Sequence, residues 1–159
     1  VPDDDDLLPP ASAAELDRLE AAVDRYLETI LRENPVVVAV DRGAPEERRW
    51  YVRLQGEEKD YTTIWFTLRQ RALHVEVFVM PAPEENEAAF YAHLLRRNLA
   101  TRGLWFAVGP EEAIFLVGQL PHTLLDEPNL DRIVGSVWMY VESWFRPAMR
   151  IGYASKFRG

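Results

Sequence analysis

The sequence predicts an α+β fold: an antiparallel sheet with helices mainly on one face, in the order α-β-β-β-α-β-β-α. Three observations predict it. Residues 49–55, 61–70 and 71–80 alternate apolar and polar side chains with period two, the pattern of a three-stranded meander. Residues 12–34, 84–97 and 130–145 carry apolar residues at three-four spacing, the pattern of helices with one buried face. Two further strand-like stretches, 104–108 and 113–120, are joined by Gly109-Pro110-Glu111-Glu112.

The first helix starts at Ser12, with Glu15 three residues on completing a capping box. Leu16, Leu19, Val23, Leu27, Ile30 and Leu31 form its apolar stripe, with Tyr26 beside them, and Asn34-Pro35 ends it. Residues 36–40 are a short β-branched run, read as an extended segment or an additional edge strand. A turn over 41–45 leads into the meander, and 56–60 is the polar turn between its first two strands. Gln70-Arg71, the next turn, is tight and lacks the usual Gly or Asn. Pro81-Ala82-Pro83 stops the third strand, and Glu84, Glu85 and Glu87 suit the start of a helix over 84–97. Phe90, Tyr91, Leu94 and Leu95 are its buried stripe, and Asn98 terminates it. Pro121 closes the second hairpin. The last helix is expected over 130–145, with Leu130, Ile133, Val134, Val137, Trp138, Val141, Trp144 and Phe145 in one stripe. Within it, Gly135-Ser136 reads as small residues easing helix packing. Arg146-Pro147 is expected to end it, leaving a basic, frayed tail with Arg150, Lys156 and Arg158.

With 159 residues, 48% of them hydrophobic and 28% charged, the chain reads as one α+β domain over 11–148. A flexible acidic tail over 1–10 and the frayed tail over 149–159 flank it. The run Asp3, Asp4, Asp5 and Asp6 reads as a solvated terminus, because it lacks the spaced ligands and Gly turn of a cation loop. No cysteine is present, which excludes disulfides, zinc-thiolate sites and thiol nucleophiles. No stretch resembles a signal peptide or an apolar span, so a cytoplasmic location is expected. The net charge of −8 argues against binding nucleic acid or an anionic membrane surface.

No motif declares a reaction. His74, His93 and His122 fall on a strand, a helix and a loop, without helical metal-ligand spacing. None of the serines sits in GxSxG, and no GxGxxG or Walker loop occurs. Glu84-Glu85 and Glu111-Glu112 lie at element ends, where charge is structural. Neither catalysis, a cofactor nor a metal is expected.

The meander is the informative stretch. One face is almost purely apolar: Trp50, Val52 and Leu54; Thr62, Ile64, Phe66 and Leu68; Leu73, Val75, Val77 and Val79. The other sets Tyr51, Trp65 and Phe78 among Arg53, Gln55, Tyr61, Thr63, Thr67, Arg69, His74, Glu76 and Met80. A bland reading makes this a second hydrophobic layer, covered by the N-terminal segment or the last helix. The functional reading makes it a homodimer or partner surface, since exposed aromatics rimmed by polar groups mark interaction sites. Tyr51, Trp65 and Phe78 would anchor, and Arg53, His74 and Glu76 would set orientation.

The stretch Leu94-Leu95-Arg96-Arg97-Asn98, then Gly103-Leu104-Trp105-Phe106-Ala107-Val108, Ile114-Phe115-Leu116-Val117 and Leu120-Pro121 resembles the YbjN family. The pattern is a helix ending in Leu-x-x-Asn, a strand, a turn, a strand and Leu-Pro. That family is described as sensory-transduction regulators, and the element order resembles the type III secretion chaperone-like fold. The chain departs from the family's Asp-Gly turn with Gly109-Pro110-Glu111-Glu112, which implies a wider hairpin. The resemblance carries no catalytic residues. It implies a homodimer that holds an extended protein client, to which an edge strand adds backbone pairing. The other function considered is a small-molecule-sensing regulator with its pocket between sheet and helices.

Overall fold

A computed structural model describes residues 9–157. The run Asp3–Asp6 and Arg158 lie outside the described residues. Among the latter, the fold is α+β, with three α-helices and a six-stranded sheet in the order β1-β2-β3-β4-β6-β5, every neighbouring pair antiparallel. The strands are β1 (Val37–Arg42), β2 (Arg49–Gln55), β3 (Tyr61–Leu68), β4 (Ala72–Met80), β5 (Leu104–Val108) and β6 (Ile114–Pro121). The helices are α1 (Ala13–Glu33), α2 (Glu87–Arg97) and α3 (Glu127–Gly152).

The β-branched run after Asn34 is an edge strand. Val37 and Val40 of β1 pair with Leu54 and Val52, and a bulge separates Val37 from Ala39. The apolar alternation of the meander faces the helices, and Trp50, Val52, Leu54, Ile64, Phe66, Leu73, Val75 and Val77 are buried. Val23, Leu27 and Ile30 of α1, Phe90 and Leu94 of α2, and Leu130, Ile133, Val134, Val137 and Val141 of α3 close over them. At roughly 25 cal/mol per Å² of apolar area removed from water, this layer holds the helices to one side of the sheet. Ser12 caps α1 as its sequence implies, its Oγ accepting from the Glu15 N–H at 3.2 Å.

Several boundaries differ from the sequence expectation, each for a tertiary reason. Met80 points to the core rather than to the mixed face, because the β4–β6 register shifts between Phe78 and Met80 and buries Val79 and Met80 together. Helix α2 begins at Glu87, not at 84. The Glu84 and Glu85 N–H groups both donate to the Gly152 carbonyl, and Asn86 sits in the left-handed region at φ 55. Those two residues therefore cap the end of α3 instead of starting α2.

Helix α3 starts earlier and ends later than expected. Asp126 caps it, accepting from the Asn129 N–H at 2.8 Å, with Pro128 tolerated in the first turn. It also runs through Pro147 to Gly152. A proline inside a helix costs roughly 3 kcal/mol. Here Ala148 and Tyr153 are buried, and the Tyr153 hydroxyl donates to the Ala82 carbonyl. Burial of that last stretch offsets the proline. The expected frayed tail is thus docked as far as it is described: Ser155 donates to Glu85, and Lys156 pairs with Glu84 at 3.1 Å. Gly135 is exposed and eases no packing, for a Cβ added there would meet nothing within 4 Å.

Candidate functional site

Among the described residues, nothing covers the face of the sheet turned away from the core. Strand register aligns one row across all six strands: Asp41, Tyr51, Trp65, Glu76, Val117 and Trp105. A neighbouring row carries Phe78 opposite Phe115, and Phe115 opposite Ala107. Tyr51 meets Trp65 edge-on at 5.4 Å between centroids, and Phe78 meets Phe115 edge-on at 5.8 Å. Such cross-strand aromatic pairs hold each other's rotamers, so the face is preformed. Trp65, Phe78 and Trp105 keep 43%, 46% and 44% of their surface exposed, which places no covering layer over them among the described residues. Between Trp65, Glu76, Phe78 and Phe115 lies a depression of about 260 Å³.

Cations sit over the rings. The Arg53 guanidinium is 3.8 Å from the Tyr61 centroid, and that of Arg49 is 5.5 Å from Trp65. The Lys59 ammonium lies 5.6 Å from Phe78, donates to the Phe78 carbonyl at 3.4 Å, and has its pKa lowered by burial. The β2–β3 turn that carries Lys59 is tied down from α3, where the Glu142 carboxylate accepts from the Glu57 and Glu58 N–H groups at 2.8 and 2.6 Å.

Of the residues expected from sequence, Tyr51, Trp65 and Glu76 share the central row. Phe78 stands one row away against Phe115. Arg53 points over Tyr61, and His74 lies a row to the other side between Thr67 and Gln119. Phe115 and Trp105 were not anticipated. Their signal was present, since Leu104 and Phe106 alternate inward around Trp105, as Ile114 and Leu116 do around Phe115.

His74 has its pKa lowered, chiefly by burial and then by Arg69, with Glu76 opposing. His93 on α2 is lowered by burial and then by Arg97 and Arg96. Both imidazoles stay neutral in the fold at a pH where the unfolded chain protonates them. Their contribution is complete above the ordinary imidazole value of about 6.5 and is lost as pH falls below it. Unfolding midpoints in urea should therefore decline between neutral and mildly acidic pH. The double variant His74→Gln/His93→Gln should show a shallower decline. An identical pH profile in the variant would contradict this assignment.

Two other features bear on the site. The Asn98 side chain occupies the outer edge of β5: its Oδ1 accepts from the Phe106 N–H at 2.7 Å and its Nδ2 donates to the Phe106 carbonyl at 3.2 Å. One sheet edge is thereby closed to strand addition at that residue. Second, an apolar cavity of about 270 Å³ lies between α2 and the β5–β6 hairpin, lined by Tyr91, Leu94, Leu95, Phe106, Ala107, Val108 and Ile114. Among the described residues, no group of three or more His, Asp and Glu is placed to hold a metal, and no helix is long and apolar enough to cross a membrane.

Residues 15–148 match the model of the YbjN family, described as "Putative bacterial sensory transduction regulator". Among curated proteins, an uncharacterized protein of Mycobacterium tuberculosis is 32% identical over 107 residues, covering 67% of this chain and 58% of that protein. An uncharacterized protein of Mycobacterium leprae is 31% identical over 110 residues, covering 69% of this chain and 60% of that protein. The chain thus spans less than two thirds of the length of these relatives.

Proposed function

The chain belongs to the YbjN family, and from that premise we propose that it is a non-enzymatic, chaperone-like protein-binding module of the cytoplasm. Its open sheet face takes a protein partner, either an extended client segment or a second copy of the chain. The observation that carries this reading is the uncovered aromatic surface built on Tyr51, Trp65, Phe78, Phe115 and Trp105. Rigid, half-exposed aromatics with a polar rim supply the anchors of protein interfaces. Arg53 and His74 at that rim, and Glu76 within the central row, orient the partner. Because Asn98 closes the β5 edge at Phe106, any backbone pairing with a client falls to β1.

The test uses the chain and two variants, Trp65→Ala and Phe78→Ala. Sedimentation velocity reads self-association, and suppression of aggregation of reduced insulin B chain reads client holding. Each variant is expected to lose about tenfold or more in the activity that the wild type shows, since central aromatic anchors contribute about 2 kcal/mol or more. Its thermal midpoint should stay near that of wild type. Unchanged association and holding in both variants would refute the role of this face.

The apolar cavity between α2 and β5 favours a second reading, a regulator that senses a small apolar molecule. The family's description agrees with it. A thermal shift on adding such a molecule, abolished by Leu94→Trp, would support the sensor over the binding module.

A further inference from the structure

We propose that the open face selects an acidic partner, an extended segment with carboxylates at positions i and i+4 around an apolar residue at i+2. This rests on the protein-binding reading above and names the chemistry of the partner. Arg49 and Arg53 lie on β2 two rows apart, on either side of Tyr51. Along a strand, four residues span about 13 Å, so the carboxylates of a second extended chain at i and i+4 match that spacing. Because the guanidinium groups lean over Trp65 and Tyr61, the side chain at i+2 falls between those two rings, beside Thr63.

Neither guanidinium is paired with a carboxylate among the described residues. Arg49 donates to the Thr67 hydroxyl at 3.1 Å and lies over Trp65, and Arg53 lies over Tyr61. The ion pairs of the described residues involve Arg42, Arg48, Arg146 and Lys156 instead. Lys59, also without a carboxylate partner there, adds a third cation beside Phe78. The acids of the face, Asp41 and Glu76, sit on β1 and β4, to either side of the β2 track. They repel a partner that strays from it and penalise a polyanion lying across the whole face. Rings hold the guanidinium groups in place without neutralising them, so they remain available to an incoming anion.

The test measures fluorescence anisotropy with four labelled probes. They are an acidic peptide of the pattern acid-x-apolar-x-acid, its Asn/Gln counterpart, its Lys counterpart and single-stranded poly-U RNA. The acidic peptide is expected to bind about fivefold to tenfold more tightly than the neutral one at low salt, as two exposed ion pairs allow. That preference should fade with salt. Arg49→Gln/Arg53→Gln should bring the acidic-to-neutral affinity ratio to about one, and Arg49→Lys/Arg53→Lys should retain part of the preference. Circular dichroism melts verify that both variants fold. Equal affinity for acidic and neutral peptides overturns the proposal but spares the protein-binding reading. No peptide binding at all overturns the proposal and leaves the protein-binding reading to the self-association test above, and tighter binding of poly-U overturns both.

Discussion

Replacing Gly118 by Ala is expected to destabilise the protein by about 3 kcal/mol, the upper range for forcing an extra carbon into a packed site. A Cβ at this position would stand 2.3 Å from the Gly103 carbonyl oxygen and 2.8 Å from the Leu104 Cδ2. The first of these is backbone, and it belongs to a turn fixed by the positive φ of Gly103, 71°. It cannot step aside as a flexible side chain would. Relief requires β5 to peel from β6, where Gly118 pairs with Leu104. Urea unfolding should show the loss, and amide exchange should locate it in β5. Gly135→Ala is the matched control: its Cβ meets nothing, and a helix-interior Gly costs about 0.5–1 kcal/mol relative to Ala. That variant should be more stable than wild type. A Gly118→Ala protein within about 0.5 kcal/mol of wild type would show that β5 is not packed as described.

Asn98→Ala is expected to cost about 2 kcal/mol. The side chain acts as a surrogate neighbouring strand for Phe106, and its removal leaves an N–H and a carbonyl without their partners. Each such loss costs roughly 1–3 kcal/mol when buried, and the lower end applies to this part-buried pair. Asn98→Asp separates the two bonds. It keeps the acceptor for the Phe106 N–H but sets a carboxylate oxygen against the Phe106 carbonyl, so it should not restore wild-type stability. The Phe106 amide should exchange faster in the Ala variant than in the Asp variant. Equal protection of Phe106 in wild type and Asn98→Ala would remove the clamp from the account. This is also the physical content of the Leu-x-x-Asn pattern: the Asn ends α2 and fastens the edge of the following strand.

The meander was legible in the sequence because period-two alternation is a local property, and every apolar position from Trp50 to Val79 on the inward register is buried. The ends of α2 and α3 were not, because they depend on each other. Glu84 and Glu85 give their N–H groups to Gly152, and the segment after Pro147 stays helical because it buries Ala148 and Tyr153. No window of sequence shows that exchange. The face was half legible for the same reason. Tyr51, Trp65 and Phe78 follow from alternation within the meander. Placing Phe115 and Trp105 beside them requires knowing that β6 inserts between β4 and β5. The stacking of Arg49, Arg53 and Lys59 over rings is likewise set by register and turn geometry rather than by spacing alone.

The central claim is that the aromatic sheet face contacts a protein partner. Photo-crosslinking tests it most directly, with a benzophenone amino acid in place of Trp65 and, as control, in place of Met139, which is exposed on α3. Each protein is irradiated alone and with reduced insulin B chain. The account predicts adducts, with the client or with a second copy, from position 65 and not from 139. Equal adducts from both positions, or none from 65, would contradict it.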